Sequence, residues 1–305
     1  MPLQKQPPSP SVAAPIAPLR PDASHRPAGL TALMSTRAGG VSTGDFAGLN
    51  LRPVHYGPTT RADEADCIAR NQALWQTAVA APVRYLHQVH GTRVVRWTGQ
   101  EPVPAFDAPL DSRPQADAAI TTAPGVVCTV LVADCLPVLL WAVDAGGRVR
   151  GVGAAHAGWR GLAGGVLEET VAALKNALEE EARLLSAPSL FALSWHAWLG
   201  ACIGPQAFEV GPEVREAFLA SAPGGDAGAC AASCFVPQAD RPGHFLADLP
   251  ELARQRLRAA GVAQVSGGDR CTYGDAARFF SYRRDAGVTG RMAASICFAL
   301  RTDPP

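Results

Sequence analysis

The chain has 305 residues, of which 48% are hydrophobic, and this is enough apolar material to close one substantial core. Its 27 lysines and arginines balance 27 aspartates and glutamates, and no run of basic residues could follow a phosphate backbone. Nucleic acid is therefore excluded as a partner. A membrane partner is excluded as well, because Asp134 and Pro137 interrupt the longest apolar stretch before it reaches the roughly 20 residues of a span.

The first 28 residues carry eight prolines and have neither a continuous apolar segment nor a helical period. This composition predicts a disordered leader over 1–28, followed by a single domain over 29–303. Removal of residues 1–27 is expected to leave activity and thermal stability unchanged. Because there is no secretory signal, the eight cysteines belong in a reducing compartment, and the predicted location is the cytoplasm.

Elements of the first half begin with an apolar run at 30–35 and a glycine-rich loop at 37–44. A helix is predicted over 60–79, with Thr60 as N-cap and with Ile68 and Trp75 on its apolar face. Strands are predicted at 83–87, 94–97, 118–121, 126–133 and 138–143 and, after a turn at 144–147, at 148–155.

The second half is predicted to hold a helix over 166–183 and strands at 197–203 and 292–298. Asp248 and Glu251 form a capping box, which predicts a further helix that ends at Gly261. The central strands are apolar rather than alternating, so at least one sheet is covered on both faces. Strands and helices interleave without a βαβ rhythm, and the predicted class is a single α+β (mixed α/β) domain.

Three potential metal ligands stand where predicted strands give way to loops, namely His90, Cys135 and His156. Their separations match no local metal-binding spacing, so two interpretations stay open. The three residues are either ligands in one cleft, or two hydrogen-bonded histidines and a buried thiol. Cys230 and Cys234 are also spaced like ligands, but they lie beside a glycine-rich stretch that resembles a flexible insertion.

Six motifs, in this order, carry a resemblance to a known family. They are STRAGGVS (35–42), QVHG (88–91), ADCLP (133–137), HAGWRG (156–161), GACIGP (200–205) and FSYRRD (280–285). The chain resembles, from about residue 30 to about residue 300, the purine nucleoside phosphorylase family of laccase-domain proteins. That family was formerly called multicopper polyphenol oxidase and is also known as peptidoglycan editing factor.

The resemblance implies a four-layer α/β/β/α sandwich of mixed sheets, with a zinc ion held by His90, Cys135 and His156. Three protein ligands leave the fourth tetrahedral position open, as in catalytic zinc sites, where water is activated near neutral pH. Copper could bind the same ligands. Copper-oxidase chemistry is not expected, because the chain has seven histidines and no H-x-H pair.

The implied reactions are phosphorolysis of adenosine, inosine, guanosine and methylthioadenosine, together with deamination of adenosine. An alternative that the resemblance also implies is an amidase that removes L-serine from the UDP-N-acetylmuramic acid precursor of the cell wall. A third hypothesis is a metal-free cysteine hydrolase, in which Cys135 is the nucleophile and His156 the base. Each of these partners is a small molecule, and the sequence leaves the oligomeric state open.

Phosphorolysis requires groups that hold an anion. The first candidate is Arg37 with the backbone amides of Gly39 and Gly40. Further candidates for phosphate or ribose contacts are Asn50, Arg160, Arg283 and Arg284. Asp134, beside Cys135, is expected either to serve as a general base, to orient a metal ligand, or only to cap a loop.

Overall fold

The computed structural model describes residues 15–54, 62–105, 107–184, 192–222 and 227–299. Its strands are β1 (Leu30–Met34), β2 (Val94–Arg96), β3 (Ala118–Thr121), β4 (Cys128–Val132), β5 (Leu136–Asp144), β6 (Val149–Ala157), β7 (Leu193–Leu199), β8 (Glu209–Val210), β9 (Phe235–Pro237), β10 (Phe245–Ala247), β11 (Gln264–Gly267) and β12 (Met292–Phe298). Its α-helices are α1 (Ala65–Val79), α2 (Trp159–Gly164), α3 (Val166–Leu184), α4 (Pro212–Ala220), α5 (Ala227–Ser233) and α6 (Leu249–Ala259). None of the helices in these ranges combines the length and apolar character needed to cross a membrane.

Two sheets form the centre of the fold. A three-stranded antiparallel sheet has the order β1-β12-β4, and a six-stranded sheet has the order β11-β7-β5-β6-β3-β2. The six-stranded sheet is mixed, because β2 runs parallel to β3 and β11 runs parallel to β7. Its long hairpin of β5 and β6 closes at the predicted turn, where the amide of Gly147 donates to the carbonyl of Asp144. A small third sheet, β8-β10-β9, lies outside this pair.

The two large sheets pack face to face, and helices cover their outer faces. The core between the sheets contains Met34, Val130 and Ile296 from one sheet and Leu139, Trp141 and Val152 from the other. Trp75 and Val79 of α1 pack on the outer face of the three-stranded sheet. The apolar stripe of α3, which includes Leu167 and Val171, packs on the outer face of the six-stranded sheet. The predicted four-layer α/β/β/α sandwich of mixed sheets is therefore confirmed.

Several element bounds differ from the sequence prediction. Helix α1 begins at Ala65, and Thr60 lies outside the described residues. The segment 83–87 is not a strand, because only His87 forms an isolated bridge, to Gln115. Strand β7 covers 193–199 rather than 197–203, since the chain leaves the sheet at Gly200 and the amide of Ile203 donates instead to the carbonyl of Asp134. The capping box is seen in part, as the Asp248 side chain accepts a hydrogen bond from the amide of Glu251.

Residues 15–28, assigned to the leader by their composition, lie against the domain; we call this segment the N-terminal strap. Leu19 and Met34 exchange two backbone hydrogen bonds, of 2.8 and 3.0 Å. Leu19 also packs against the core between the sheets, and Ile16 packs against the cluster under α1. The strap thus continues the three-stranded sheet by one isolated bridge.

Candidate metal centre

Three side chains from different parts of the chain meet at one end of the central sheets. One ligand atom from each of His90, Cys135 and His156 lies within 4.8 Å of the others. The Sγ atom of Cys135 is 3.7 Å from Nε2 of His90, and the two imidazole rings are 4.8 Å apart, edge to face. Within the described ranges, this is the one group of three or more metal-ligating side chains so placed; Cys230 and Cys234 belong to none.

Strand pairing explains why Cys135 and His156 meet. In the β5–β6 hairpin Leu136 is opposite Ala157 and Pro137 is opposite His156. Cys135 directly precedes β5, so it lies at the same end of the hairpin as His156, which is one residue from the end of β6. The sequence separation of the two residues is the length of a hairpin, not a local metal-binding spacing.

His90 is held by hydrogen bonds to its loop and not by strand pairing. Its backbone has a φ of 61°, a conformation unfavourable for a residue with a side chain. The buried carboxylate of Asp117 accepts hydrogen bonds from the amides of Val89 (3.1 Å), His90 (2.9 Å) and Gly91 (2.7 Å). Gln88 exchanges two side-chain hydrogen bonds of 2.8 Å with the backbone of Leu131 beside the cluster. These contacts offset the strain and fix the loop.

Asp117, which belongs to none of the six motifs, also orients His156. Its Oδ1 atom is 2.8 Å from Nδ1 of His156. Burial raises the pKa of Asp117, but hydrogen bonds from His156 and from the loop amides outweigh burial, and the net pKa is lowered. The carboxylate is therefore charged, Nδ1 of His156 donates to it, and Nε2 is left for the cluster. The only signal in the sequence is an acidic residue directly before an apolar strand.

The cluster favours a thiolate. Burial alone would raise the pKa of Cys135, but the charge of His156 and hydrogen bonds from both histidines lower it to about 6. Burial likewise opposes protonation of His156, while Cys135 and Asp117 raise the pKa of that histidine to about 9. Metal binding displaces the Nε2 proton of His156, and the resulting thiolate with two imidazoles is a ligand set that suits zinc, so the residues present fit the metal that the resemblance implies.

Two glycines of the HAGWRG motif allow the loops to approach this closely. A Cβ atom at Gly158 would lie 2.7 Å from Cδ2 of His90 and 3.1 Å from Sγ of Cys135. A Cβ atom at Gly161 would lie 2.7 Å from the carbonyl oxygen of Gly91. Distances below 3.0 Å are steric clashes, so the motif requires glycine for space rather than for backbone conformation.

Asp134 serves as an anchor between loops. Its carboxylate accepts hydrogen bonds from Oγ1 of Thr272 (2.5 Å), Oγ of Ser281 (2.9 Å) and the amide of Arg283 (2.7 Å). Three donors occupy the oxygens that a general base would need. This geometry supports a positioning role for Asp134, in which it ties two distant segments to the residue beside Cys135.

The cluster opens into a cavity of about 390 Å³, within the range of roughly 300 to 1,000 Å³ that is usual for small-molecule sites. Aromatic and cationic side chains line it beside the cluster. The aromatic ones are Trp159, Phe208 and Tyr282, and the cationic ones are Arg160, Arg283 and Arg291. Of the arginines proposed from the sequence for anion binding, the structure brings Arg160 and Arg283 to the cluster.

The other anion-binding candidates lie elsewhere. The Arg37 guanidinium donates to the carbonyls of Ala47 and Ala276 and covers the ring of Phe280, and it lines a separate cavity. Gly39 and Gly40 have positive φ values of 81° and 73° in the same loop. A Cβ atom at Gly40 would lie 2.6 Å from the backbone of Gly48 and Leu49, which gives this glycine a packing role.

Asn50 and Arg284 are engaged in contacts within the fold. Asn50 is fully buried, and its side-chain oxygen accepts hydrogen bonds from the amides of Arg52 (3.0 Å) and Arg291 (2.9 Å). Arg284 pairs with Asp285 and donates to the carbonyl of Thr272 at 2.8 Å. Neither residue lines the cavity at the cluster.

Fold and site together define a class of protein: a four-layer α/β/β/α sandwich that presents a cluster of two histidines and one cysteine to an open cavity. The chain belongs to the family described as multi-copper polyphenol oxidoreductase laccase, whose sequence profile matches residues 31–299.

Known relatives span the whole domain. The purine nucleoside phosphorylase YfiH of Escherichia coli K12 is 45% identical over 273 residues, which cover 89% of this chain and 95% of the relative. The purine nucleoside phosphorylase PA4543 of Pseudomonas aeruginosa is 44% identical over 270 residues, covering 88% and 94%. The crystal structure of Neisseria meningitidis protein NMB0706 matches with a TM-score of 0.72 and 39% identity, over 93% of this chain and 99% of that one.

Proposed function

We propose that this protein is a zinc-dependent purine nucleoside phosphorylase that also deaminates adenosine. The observation that carries the proposal is the convergence of His90, Cys135 and His156 within 4.8 Å at the end of an open cavity. The names of the relatives support the substrate class. The expected nucleosides are adenosine, inosine, guanosine and methylthioadenosine, the metal is zinc rather than copper, and the location is the cytoplasm.

Each residue of the centre has a separate task in this proposal. His90, Cys135 and His156 would hold the metal, which when bound supplies a Lewis acid and lowers the pKa of a coordinated water. Asp117 keeps the Nδ1 proton of His156 and so presents Nε2 to the cluster. The aromatic walls exclude bulk water from the reacting bonds, which strengthens electrostatic interactions within the cavity.

Phosphate is held by Arg160 in this proposal, in place of Arg37. The Arg160 guanidinium lies 4.5 Å from the ring centre of Trp159 and lines the cavity. Within the described ranges no hydrogen bond or ion pair engages its donors, whereas Arg37 uses its donors on backbone carbonyls. A guanidinium whose donors are available can bind phosphate through two parallel hydrogen bonds.

The metal is tested first. Protein purified without added metal should contain about one zinc per chain, and Cys135→Ser should lose both zinc and phosphorolysis of inosine without a change in fold. Cys230→Ser is the matched control, because Cys230 is exposed and outside the cluster. Full activity in metal-stripped protein would instead support the cysteine hydrolase.

Phosphate binding is tested next. Arg160→Ala should retain zinc while the KM for phosphate rises about 10- to 100-fold, since a charge-assisted hydrogen bond contributes roughly 1.5 to 3 kcal/mol. Arg93→Ala is a suitable control, because Arg93 is exposed, near the QVHG loop and not among the cavity-lining residues. An unchanged KM for phosphate would remove Arg160 from the mechanism.

A second candidate function is the amidase that releases L-serine from UDP-N-acetylmuramyl-L-serine. The observation in its favour is the positive charge of the cavity, which Arg160, Arg283 and Arg291 all line. A nucleotide sugar carries two phosphates, which these arginines would bind. The zinc enzyme is incubated with this precursor and, separately, with inosine plus phosphate. If the amidase is the main activity, serine is released from the precursor faster than hypoxanthine is released from inosine. Faster release of hypoxanthine than of serine favours the phosphorylase.

A further inference from the structure

We propose that Tyr282 is the surface on which the flat base of the substrate stacks, and that it determines the preference for a nucleobase. The inference rests on the proposed function, because that function supplies a substrate with a planar heteroaromatic ring. It goes further by assigning recognition of the base to one side chain. Three observations carry it: the pairing of rings and cations around the cavity, the exposure of the ring, and the way the ring is held.

Each aromatic ring of the cavity has an arginine over it. Arg160 lies 4.5 Å from the ring centre of Trp159. Arg283 lies 5.7 Å from the ring of Phe208, and Arg291 lies 5.7 Å from the ring of Tyr282. All six side chains line the cavity. A lining that alternates π-surfaces with cations suits a ligand that is flat at one end and anionic or polyhydroxylated at the other.

Only one of these three rings has a large exposed surface. Phe208 is 7% exposed, so almost all of its ring is engaged in the core, and Trp159 is partly buried beneath Arg160. Tyr282 is 54% exposed. An exposed aromatic ring in the lining of a cavity is a typical ligand contact, since stacking on a ligand removes its apolar surface from water.

The backbone of Tyr282 is held at a fixed place relative to the metal ligands. Asp134 accepts hydrogen bonds from the residues on either side of it, through Oγ of Ser281 and the amide of Arg283. Asp134 is itself covalently adjacent to Cys135. The stacking surface and the metal cluster are therefore joined through one buried carboxylate.

The far side of the turn adds a second support. The amide of Gly287 donates to the carbonyl of Tyr282 at 2.9 Å. Gly287 has a φ of 90°, and a Cβ atom there would lie 3.4 Å from the Tyr282 ring. A base stacked on this ring would thus meet a platform whose backbone is set before the substrate arrives, which reduces the entropy lost on binding.

The experiment compares Tyr282→Phe, which keeps the ring, with Tyr282→Leu, which removes it. Steady-state kinetics with inosine at saturating phosphate should show a KM for inosine that is unchanged in Tyr282→Phe and about tenfold higher in Tyr282→Leu. The kcat, the KM for phosphate and the zinc content should stay close to those of the unaltered enzyme, because stacking is equal in the ground and transition states. Tyr273→Leu is the control, an exposed tyrosine that is not among the cavity-lining residues.

Failure of the proposed function and failure of this inference give different results. If the unaltered zinc enzyme does not cleave inosine, stacking is measured by calorimetric titration with adenosine and with uridine diphosphate. About tenfold weaker binding of either compound to Tyr282→Leu than to Tyr282→Phe supports the inference without the phosphorylase. Equal KM values in the kinetic assay, or equal affinities of the two variants in the titration, overturn it. Absence of binding of both compounds to the unaltered enzyme overturns it as well.

Discussion

Gly158 lies directly against the side chains of His90 and Cys135, although it supplies no ligand atom itself. Its φ of −65° is open to any residue, so backbone conformation does not explain the glycine. The reason is space, because a methyl group there would stand between His90 and Cys135. At the residue scale, the geometry of the cluster therefore depends on the absence of a side chain at position 158 as much as on its three candidate ligands.

The first prediction follows from this steric requirement. Gly158→Ala should fold normally but bind zinc at least tenfold more weakly, because the added Cβ forces the His90 ring out of its position. Metal content after dialysis against a weak chelator measures the effect. Gly228→Ala is the matched control, since a Cβ atom there has no neighbour within 4 Å. Equal zinc retention by the two variants would contradict the steric argument.

The second prediction concerns Asp117. Asp117→Asn removes the charge that fixes the His156 tautomer and weakens the acceptor for three loop amides, so zinc affinity should fall about 10- to 100-fold. Competition with a chromophoric chelator gives the zinc affinity, and circular dichroism reports the fold. Asp111→Asn, at an exposed position, should have no effect on either. A normal zinc affinity in Asp117→Asn would show that His156 needs no partner.

Residue roles were predictable only where a motif carried them. The motif resemblance pointed to His90, Cys135 and His156, and the β5–β6 pairing and the Asp117 contacts explain why these residues meet. Arg37 could not be placed from the sequence, because a sequence pattern does not show where a guanidinium points. Asp117 was missed for a related reason, since a single carboxylate before a strand reveals nothing about the loop amides it will bind.

At the scale of elements, the turn over 281–289 matters most, because it carries Tyr282 and Arg283 to the cavity. Asp285 organises it. Its carboxylate accepts hydrogen bonds from Oγ1 of Thr289 (2.8 Å) and from Nε of Arg284 (2.9 Å). Burial raises the pKa of Asp285, but the hydrogen bonds and charge of Arg284 and the hydroxyl of Thr289 outweigh it, and the pKa is lowered.

The third prediction is a pH dependence from this shift. A carboxylate whose folded pKa is depressed stabilises the fold above its unfolded pKa, about 3.9, and loses that contribution as pH falls through the folded pKa. Asp285→Asn should therefore lower the free energy of unfolding at pH 7 by about 1 kcal/mol, since the pair with Arg284 is partly solvent-screened. Urea denaturation of both proteins should show a smaller difference in free energy of unfolding below pH 4 than at pH 7. If the difference in free energy of unfolding between the two proteins were the same at all pH values, the loss would come from the shape of the Asp285 side chain and not from its charge.

Element prediction succeeded where burial imposed a clear pattern. Strands β3 to β6, helix α3 and strand β12 have near-continuous or striped apolar sequences, and their positions were close to those predicted. The short strands β8 to β10 were missed, because two or three residues give no period. The segment 83–87 was wrongly predicted as a strand, since its apolar residues are buried in a loop that pairs only at His87.

At the scale of the whole molecule, the two facing sheets are unequal, with three strands against six. Part of the inner face of the larger sheet therefore needs another cover. Residues of the N-terminal strap, among them Leu19, line a cavity together with Trp198 and Leu199 of β7. The strap thus lies beside the portion of the larger sheet that the smaller one does not reach.

The fourth prediction compares two truncations. Removal of 1–28 should lower the free energy of unfolding by about 2 kcal/mol relative to removal of 1–14, through lost burial of Leu19 and Ile16. The corresponding shift is a Tm lower by about 5 °C, measured by differential scanning fluorimetry. Equal melting temperatures for the two proteins would support the original expectation from composition, that the segment contributes nothing to stability.

The central position of β12 has a consequence for biosynthesis. Leu30 pairs with Phe298, and β12 is the strand that joins β1 to β4. Among the described strands, β1 is synthesised first and its partner β12 last, so the core between the sheets cannot close before β12 has left the ribosome. Until then the nascent chain carries β1 and β4 as apolar strands without their partner, and chaperones protect chains in this state. A stop codon shortly before Met292 would leave β1 and β4 as open edges able to pair with other chains. Such a product would fail to fold, as would a chain truncated much earlier.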